Sequence, residues 1–396
     1  MTALADRGIE GVAEGNPAIT RCIFRINPSH FCTVADTALP PMICSAVEVH
    51  IAVDPSRSAT GARLRSVRDV VVLCPPGFEE LVSEFAEREL DVFTPTATGR
   101  GLIRGSTEAD LAALRTFPCA TNAFVVLAEF PRTTAESEAG VLAERLAAVN
   151  VPLEFGRAGP PPLRVSIDGK LISPSAAYRG LETAIAAGWP TATGRSTVDE
   201  VWLLHRSDLR TAVVAARLSS GGPRPPRGQL RSEICAALAR VEPLRDAELV
   251  LDPFAGSGAI GDACLKAGAT KVWLNDLNPP GSAIAASPRV RWTRSDFRKL
   301  RVRPQSIDAL VTDPPWGRNW NMKHGAAGFY RDLGAAAQQW LRPGGAVVLL
   351  TGAPDRALEA LLHAGNLRSE MTLPVLVNGS RARVIRARKG RRPRRR

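Results

Sequence analysis

Two short stretches carry the residues whose types could do chemistry together. Asp313-Pro314-Pro315-Trp316 closes the apolar run Ile307-Asp-Ala-Leu-Val-Thr312. Two successive prolines stiffen the backbone and present carbonyl acceptors without N–H donors. An exocyclic amine on a planar base needs acceptors, because its lone pair is delocalised into the ring. The Asp313 carboxylate and the Pro314 carbonyl would take its two hydrogens and localise that lone pair for attack. Pro315 holds the turn, and Trp316 offers a face for stacking, worth about 1–3 kcal/mol per base. These four are the candidate catalytic residues. Positioning and electrostatics would suffice, with no metal and no covalent nucleophile. The bland alternative is an ordinary turn at a strand end.

Upstream, Asp252-Pro253-Phe254-Ala255-Gly256-Ser257-Gly258 closes the run Glu248-Leu-Val-Leu251. Gly256, Gly258 and Gly261 satisfy G-x-G-x-x-G, with Asp276 at the spacing of a ribose-binding acid. Taken alone this suggests a dinucleotide site. The same geometry suits S-adenosylmethionine, and Asp252-Pro253-Phe254 ahead of the glycines favours that donor. Asp276, with Leu277 beside it, would accept from both ribose hydroxyls; its other role would be a helix cap, with Asn278 as competitor. Asp296 would accept from the adenine amine while Phe297 packs on the ring, or would cap a short turn. Asp313 borders the same site. The polar loop Gly317 to Gly328, with Arg318, Asn319, Trp320, Lys323 and His324, either closes over a flipped base or is plain surface.

The elements that must position these residues alternate strand and helix from residue 229 onward. Helices are expected at 229–241, 258–267, 329–341 and 354–364, and strands at 249–252, 271–275, 289–292, 307–312 and 346–351. A closing hairpin is expected through Asn378-Gly379. This rhythm implies a parallel doubly wound sheet, whose ligands sit beyond the carboxyl ends of the strands. The glycine loop, Asp276, Asp296 and Asp313 all follow strands closely, so one rim collects them. Upstream, strands at 70–73, 101–104 and 123–128 alternate with helices at 79–89 and 107–114, in the manner of a small ferredoxin-like unit. Strands at 163–166 and 200–204 follow. The Gly/Pro stretch Ser219 to Gly228 is the clearest boundary.

With 396 residues the chain is expected to fold as two or three domains. Hydrophobic residues make up 45% and charged residues 23%, ordinary for a soluble globular protein. No membrane span or secretory leader is expected, and the location is expected to be cytoplasmic. Seven cysteines without C-x-x-C read as reduced, buried thiols; a metal site at Cys22, Cys32 and Cys44 is the weaker alternative. Net charge is +12, yet removing the nine arginines and one lysine of residues 379–396 leaves +2. The C-terminus is therefore a cationic tail, suited to polyanions or to solubility alone.

Residues 221–396 resemble a class I S-adenosylmethionine-dependent methyltransferase, on Asp252-Pro-Phe-Ala-Gly-Ser-Gly258, Asp276, Asp296 and Asp313-Pro-Pro-Trp316. The run Pro225-Pro-Arg-Gly-Gln229-Leu230-Arg231 is similar to the segment before the catalytic domain in THUMP-domain RNA methyltransferases. The resemblance implies that Gln229, Leu230 and Arg231 help enclose the methionine end of the cofactor. Pro76-Gly-Phe-Glu-Glu-Leu81, Gly101-Leu-Ile-Arg-Gly105 and Leu114-Arg-Thr116 resemble that family's ferredoxin-like opening. Ala255, Ala259 and Trp316 stand where the family often has Cys, Thr and Tyr or Phe.

The expected fold class is α/β: a Rossmann-like seven-stranded methyltransferase domain preceded by an α+β RNA-binding region. The expected divisions are 1–66 unassigned, 67–136 ferredoxin-like, 137–220 THUMP-like, 221–388 methyltransferase and 389–396 basic tail. The resemblance implies methylation of guanine N2 in tRNA or rRNA, tRNA being the favoured substrate; a monomer is the expected state, though the sequence does not define it. The other readings are a DNA adenine-N6 or cytosine-N4 methyltransferase, an NAD-dependent oxidoreductase, and a non-catalytic RNA-binding protein.

Overall fold

The structure is a computed structural model. It describes residues 67–131, 155, 159–173, 178–191, 198–209, 211–220, 225–226, 228–244, 247–278, 287–317 and 325–390, with the backbone of three earlier strands. Those strands, β1 (Ile9–Asn16), β2 (Ile19–Ile26) and β3 (Glu48–Ile51), form an antiparallel sheet within a separate compact unit, Met1–Leu64. The loop residues 318–324, the stretch 132–154, Cys32, Cys44 and the arginines of 391–396 lie outside the described residues. No helix among those described is long and apolar enough to cross a membrane.

In the second unit, Arg65–Arg396, one sheet has eight strands in the order β5-β6-β4-β7-β11-β10-β8-β9. The strands are β4 (Arg68–Leu73), β5 (Thr94–Gly99), β6 (Leu102–Thr107), β7 (Asn122–Pro131), β8 (Leu163–Ile167), β9 (Lys170–Ile172), β10 (Glu200–Arg206) and β11 (Thr211–Ser220). β7 lies against β11, so the sheet runs continuously through the stretches read in sequence as ferredoxin-like and THUMP-like. Three helices accompany it: α1 (Glu79–Glu89), α2 (Leu111–Thr116) and α3 (Arg179–Gly188). α1 buries Leu81, Val82, Phe85 and Ala86, one apolar stripe at helical spacing. Its Glu79 and Glu80 in the first turn and Arg88 in the last suit the helix dipole.

The second sheet has seven strands in the order β14-β13-β12-β15-β16-β18-β17. They are β12 (Leu249–Asp252), β13 (Lys271–Asp276), β14 (Val290–Arg294), β15 (Ile307–Thr312), β16 (Leu341–Thr351), β17 (Leu367–Val377) and β18 (Ser380–Lys389). Every neighbour is parallel except β18, which pairs antiparallel with β16 and β17. β12 and β15 read as near-continuous apolar runs because helices cover both their faces. Those helices are α4 (Ser232–Val241), α5 (Ala259–Lys266), α6 (Gly325–Trp340) and α7 (Asp355–Gly365). The hairpin expected at Asn378-Gly379 is present, with both residues at positive φ.

Several boundaries differ from the sequence reading: α2 starts at Leu111 rather than 107 and α6 at Gly325 rather than 329, and two further differences have a visible cause. α4 begins at Ser232 rather than 229, because Arg231 is extended (φ −67°, ψ 146°) and Gln229 turns back to Pro226. β16 starts at Leu341, directly after α6, with the Pro-Gly-Gly segment inside its span rather than before it.

The two sheets are joined by backbone and charge. Leu376 N–H donates to the Pro76 carbonyl (2.9 Å), tying the β4–α1 loop to β17. Arg240 of α4 pairs with Glu89 of α1 (2.7 Å). Cys74, Cys119, Cys235 and Cys264 are buried and unpaired.

Candidate functional site

β12 and β15 are neighbours, with Leu251 beside Leu310, and the strand order reverses between them. Both lead out at the same rim, where a cavity of about 850 Å³ opens. It is lined by the loops after β12, β13, β14 and β15 (Pro253–Ser257, Asp276–Asn278, Ser295–Arg298 and Asp313–Trp316). Ligand sites of open parallel sheets lie at this point.

The glycine loop is shaped by its neighbours. Gly256 (φ +53°) and Gly258 (φ +85°) occupy left-handed backbone, and Gly258 begins α5. A Cβ on Gly261 would sit 2.5 Å from Leu274 Cδ2, so glycine there lets α5 lie close on β13. Asp276 accepts from Gly256 N–H through Oδ2 (2.8 Å) and from Asn278 N–H through Oδ1 (2.9 Å). Each oxygen keeps a second lone pair for a diol. Cap and ligand readings of Asp276 are thus compatible. Asp296 likewise caps a short 3-10 turn by accepting from Arg298 N–H (2.9 Å), while also lining the cavity.

Asp252 is fully buried behind the loop and does not line the cavity. Its Oδ1 accepts from Phe254 N–H (3.1 Å) and from the Thr312 hydroxyl (2.6 Å), bonding the end of β12 to the end of β15. Its Oδ2 is buried with no hydrogen-bond partner among the described residues. Burial pushes this carboxyl up to about 7. Gly258 and Arg231 also lie outside the lining, as the residues that precede α5 and α4. Gln229, Leu230, Pro253, Phe254, Ala255, Gly256, Ser257, Asp276, Leu277, Asp296 and Phe297 all line it, as do Asp313, Pro314, Pro315 and Trp316.

In the catalytic candidate, the Trp316 indole N–H donates to Asp313 Oδ1 (2.8 Å). The indole ring presses on Gly352, where a Cβ would come within 2.5 Å of Trp316 Cε3. Burial pushes the Asp313 carboxyl up to about 7, and the Trp316 bond opposes that rise. Behind the turn, Tyr330 OH bonds Thr351 Oγ1 (2.5 Å) and donates to the Pro315 carbonyl (3.4 Å). The sequence pointed to Trp316 for its face; the structure adds its N–H.

Sequence reasoning did not place Ile260, Asn278, Ser295, Arg298, Phe329 and Asp332 at the site, yet all line the cavity, as do Gly228, Ala259 and Gly325. Phe254, Phe297 and Phe329 form an aromatic wall with centroids 5.1 to 5.5 Å apart. Arg298 lies over Phe297 (4.8 Å) and pairs with Asp332 (2.8 Å) and Asp296 (3.5 Å). Only the helical spacing of Phe329 was visible beforehand; its partners come from other strands.

The fit to S-adenosylmethionine is testable on these features. A Cβ built on Gly256 meets nothing within 4 Å, leaving the loop open to the cavity. An acidic side chain, an aromatic wall and a capped acid stand around that opening, and the volume suits a nucleoside-sized ligand. The residues present fit the group.

The strand order and the rim define a class I methyltransferase fold. Residues 282–383 match the family model described as RMKL-like, methyltransferase domain. The chain is 35% identical over 153 residues to a tRNA (guanine(6)-N2)-methyltransferase of Thermus thermophilus. That stretch is 35% of this chain and spans 46% of the relative's length. The crystal structure of TrmN from Thermus thermophilus superposes with a TM-score of 0.63 at 25% identity, covering 82% of this chain and 100% of that one. A methyltransferase solved in complex with SAH shares the fold, with a TM-score of 0.56 at 12% identity over 84% of this chain and 100% of that one.

Proposed function

We propose that the protein is an S-adenosylmethionine-dependent RNA methyltransferase that modifies an exocyclic base amine, guanine N2 of a tRNA. The observation that carries this reading is the meeting of the glycine loop and the Asp-Pro-Pro-Trp turn in one cavity, bonded together through Thr312 and Asp252. The Thermus relative, which acts on tRNA guanine, supports the substrate. An RNA-gripping role for the eight-stranded half and a cytoplasmic location belong to the same proposal.

S-adenosylmethionine, when bound, supplies an electrophilic methyl on a sulfonium. Pro253 to Ser257 would enclose it, with Asp276 on the ribose hydroxyls and Asp296 and Phe297 at the adenine. Asp313 and the Pro314 carbonyl hold the amine hydrogens, which returns the nitrogen lone pair to the nitrogen. Tyr330, bonded to the Pro315 carbonyl, keeps the turn from yielding. After alkylation the nitrogen carries a surplus proton. Asp313, whose proton affinity burial has raised, takes it at the Oδ2 oxygen not engaged by Trp316.

The deciding experiment incubates the full chain with radiolabelled S-adenosylmethionine and bulk tRNA, rRNA or DNA in parallel, followed by nucleoside mass spectrometry. Label in N2-methylguanosine from tRNA is the expected result. Label confined to DNA adenine or cytosine would replace the reading, and NADH binding without S-adenosylmethionine binding would end it. Asp313→Ala is expected to retain cofactor binding and lose about 10²–10³-fold in kcat, the scale of a lost preorganised polar contact.

A further inference from the structure

A second cleft, of about 780 Å³, opens where the two sheets meet, and its lining includes Gly77, Arg100, Gly352, Asp355, Arg381 and Arg383. Gly352 is the partition between the two spaces: it lines the cleft, and the Trp316 ring that presses on it lines the first cavity.

The walls of this cleft are fixed. Leu376 N–H donates to the Pro76 carbonyl, and a Cβ on Gly77 (φ +93°) would stand 2.6 Å from Val375 Cα, so loop and strand meet backbone to backbone. Arg100 sits at the tip of the β5–β6 hairpin. Its amide donates to Asp208 Oδ2 (2.8 Å) and its carbonyl accepts from Arg206 Nη2 (2.6 Å). The Arg206 guanidinium holds the Asp208 carboxyl down to about 2, so this clamp stays ionised.

The cations divide into two kinds. Arg383 is occupied, by the Asp355 carboxylate and the Ala353 carbonyl. The side chains of Arg100 and Arg381 make no ion pair or hydrogen bond among the described residues. The cleft therefore holds two cations without counter-charge on a rigid frame, one wall away from the Asp313 turn. Exposed cations on a fixed backbone attract polyanions by releasing condensed counterions.

We propose that this seam cleft binds backbone phosphates of the RNA strand next to the base held at Asp313, with Arg100 and Arg381 as the phosphate contacts. The inference rests on the RNA methyltransferase reading above and gives that enzyme a second anchoring point.

The test uses the full chain with Arg100→Ala, Arg381→Ala and the double variant, measuring tRNA methylation and tRNA binding over a potassium chloride series. S-adenosylmethionine affinity serves as the readout of an intact fold. Each substitution is expected to raise KM for tRNA roughly tenfold, as for a charged hydrogen bond, and to reduce the salt slope by about one. kcat and cofactor affinity stay at the wild-type values. A double variant with unchanged KM and unchanged salt slope, while the wild type methylates tRNA, overturns the cleft assignment. So does an equal loss from Arg303→Ala, an exposed cation that lines neither space. A wild type that binds S-adenosylmethionine yet methylates no RNA removes the enzymatic reading first, and the cleft proposal with it.

Discussion

Asp313 is half-buried at the cavity wall, and that burial pushes its carboxyl up to about 7, while the Trp316 N–H is the contact that opposes the rise. Only the ionised form accepts two hydrogens well. kcat/KM is therefore expected to climb with pH through about 7. Trp316→Phe keeps an aromatic face and removes the donor, so its profile should shift to higher pH; an unmoved midpoint would show that the indole N–H does not tune the acid. The stability effect has the opposite sign. A carboxyl that is harder to ionise in the folded chain stabilises it fully only below the ordinary carboxylate range, and that contribution is lost as pH rises through about 7. Asp313→Asn should accordingly show a shallower fall in melting temperature between pH 5 and 8 than the wild type, an interval of about three units around that value. None of this was legible in the sequence. The residue types were, because acceptor-rich rigid turns have few other uses. The indole bond depends on a side-chain rotamer that spacing does not encode.

The elements were more legible than their contacts. Apolar runs ending in Asp252, Asp276 and Asp313 placed three strands and their shared rim, since a strand buried on both faces must be continuously hydrophobic. The glycine pattern located the tight turn at the cavity rim, because positive φ at Gly256 and Gly258 excludes most other residues. What stayed hidden were long-range approaches: Gly352 under Trp316, Gly261 on Leu274, and the aromatic wall of Phe254, Phe297 and Phe329. Gly352→Ala is expected to displace the indole and cost at least about tenfold in kcat, with cofactor affinity kept, because small misplacements of a reacting group are costly. Single-turnover kinetics checks this. Gly261→Ala forces α5 off β13 and should lower stability by about 1–3 kcal/mol, the range for overpacking, read by thermal unfolding. The early strands of the chain were not assigned, since Pro- and Ser-rich connections mask their period.

At the scale of the molecule, nothing in the residue pattern announced that one eight-stranded sheet would thread both upstream regions. Pairing between β7 and β11 joins residues from Thr211 with Pro131 to Ser220 with Asn122, far apart in the chain, and no local pattern reports such a partner. Charge, by contrast, was readable throughout. Five of the arginines behind the net +12 lie within 391–396. Deleting those six residues should weaken tRNA binding most at low salt and flatten its salt dependence, leaving S-adenosylmethionine affinity intact. Titrations at two ionic strengths distinguish this from a solubility role, which would change neither. The hydroxyl of Thr312, finally, bonds the end of β15 to the end of β12 behind the cavity. On the proposed reading, movement at the rim is expected to carry both guests, methyl donor and base, together, like jaws on a common hinge. A Thr312→Val chain would still admit each guest, but would bring them into register only in passing, and its defect would appear as slow chemistry behind ordinary affinities.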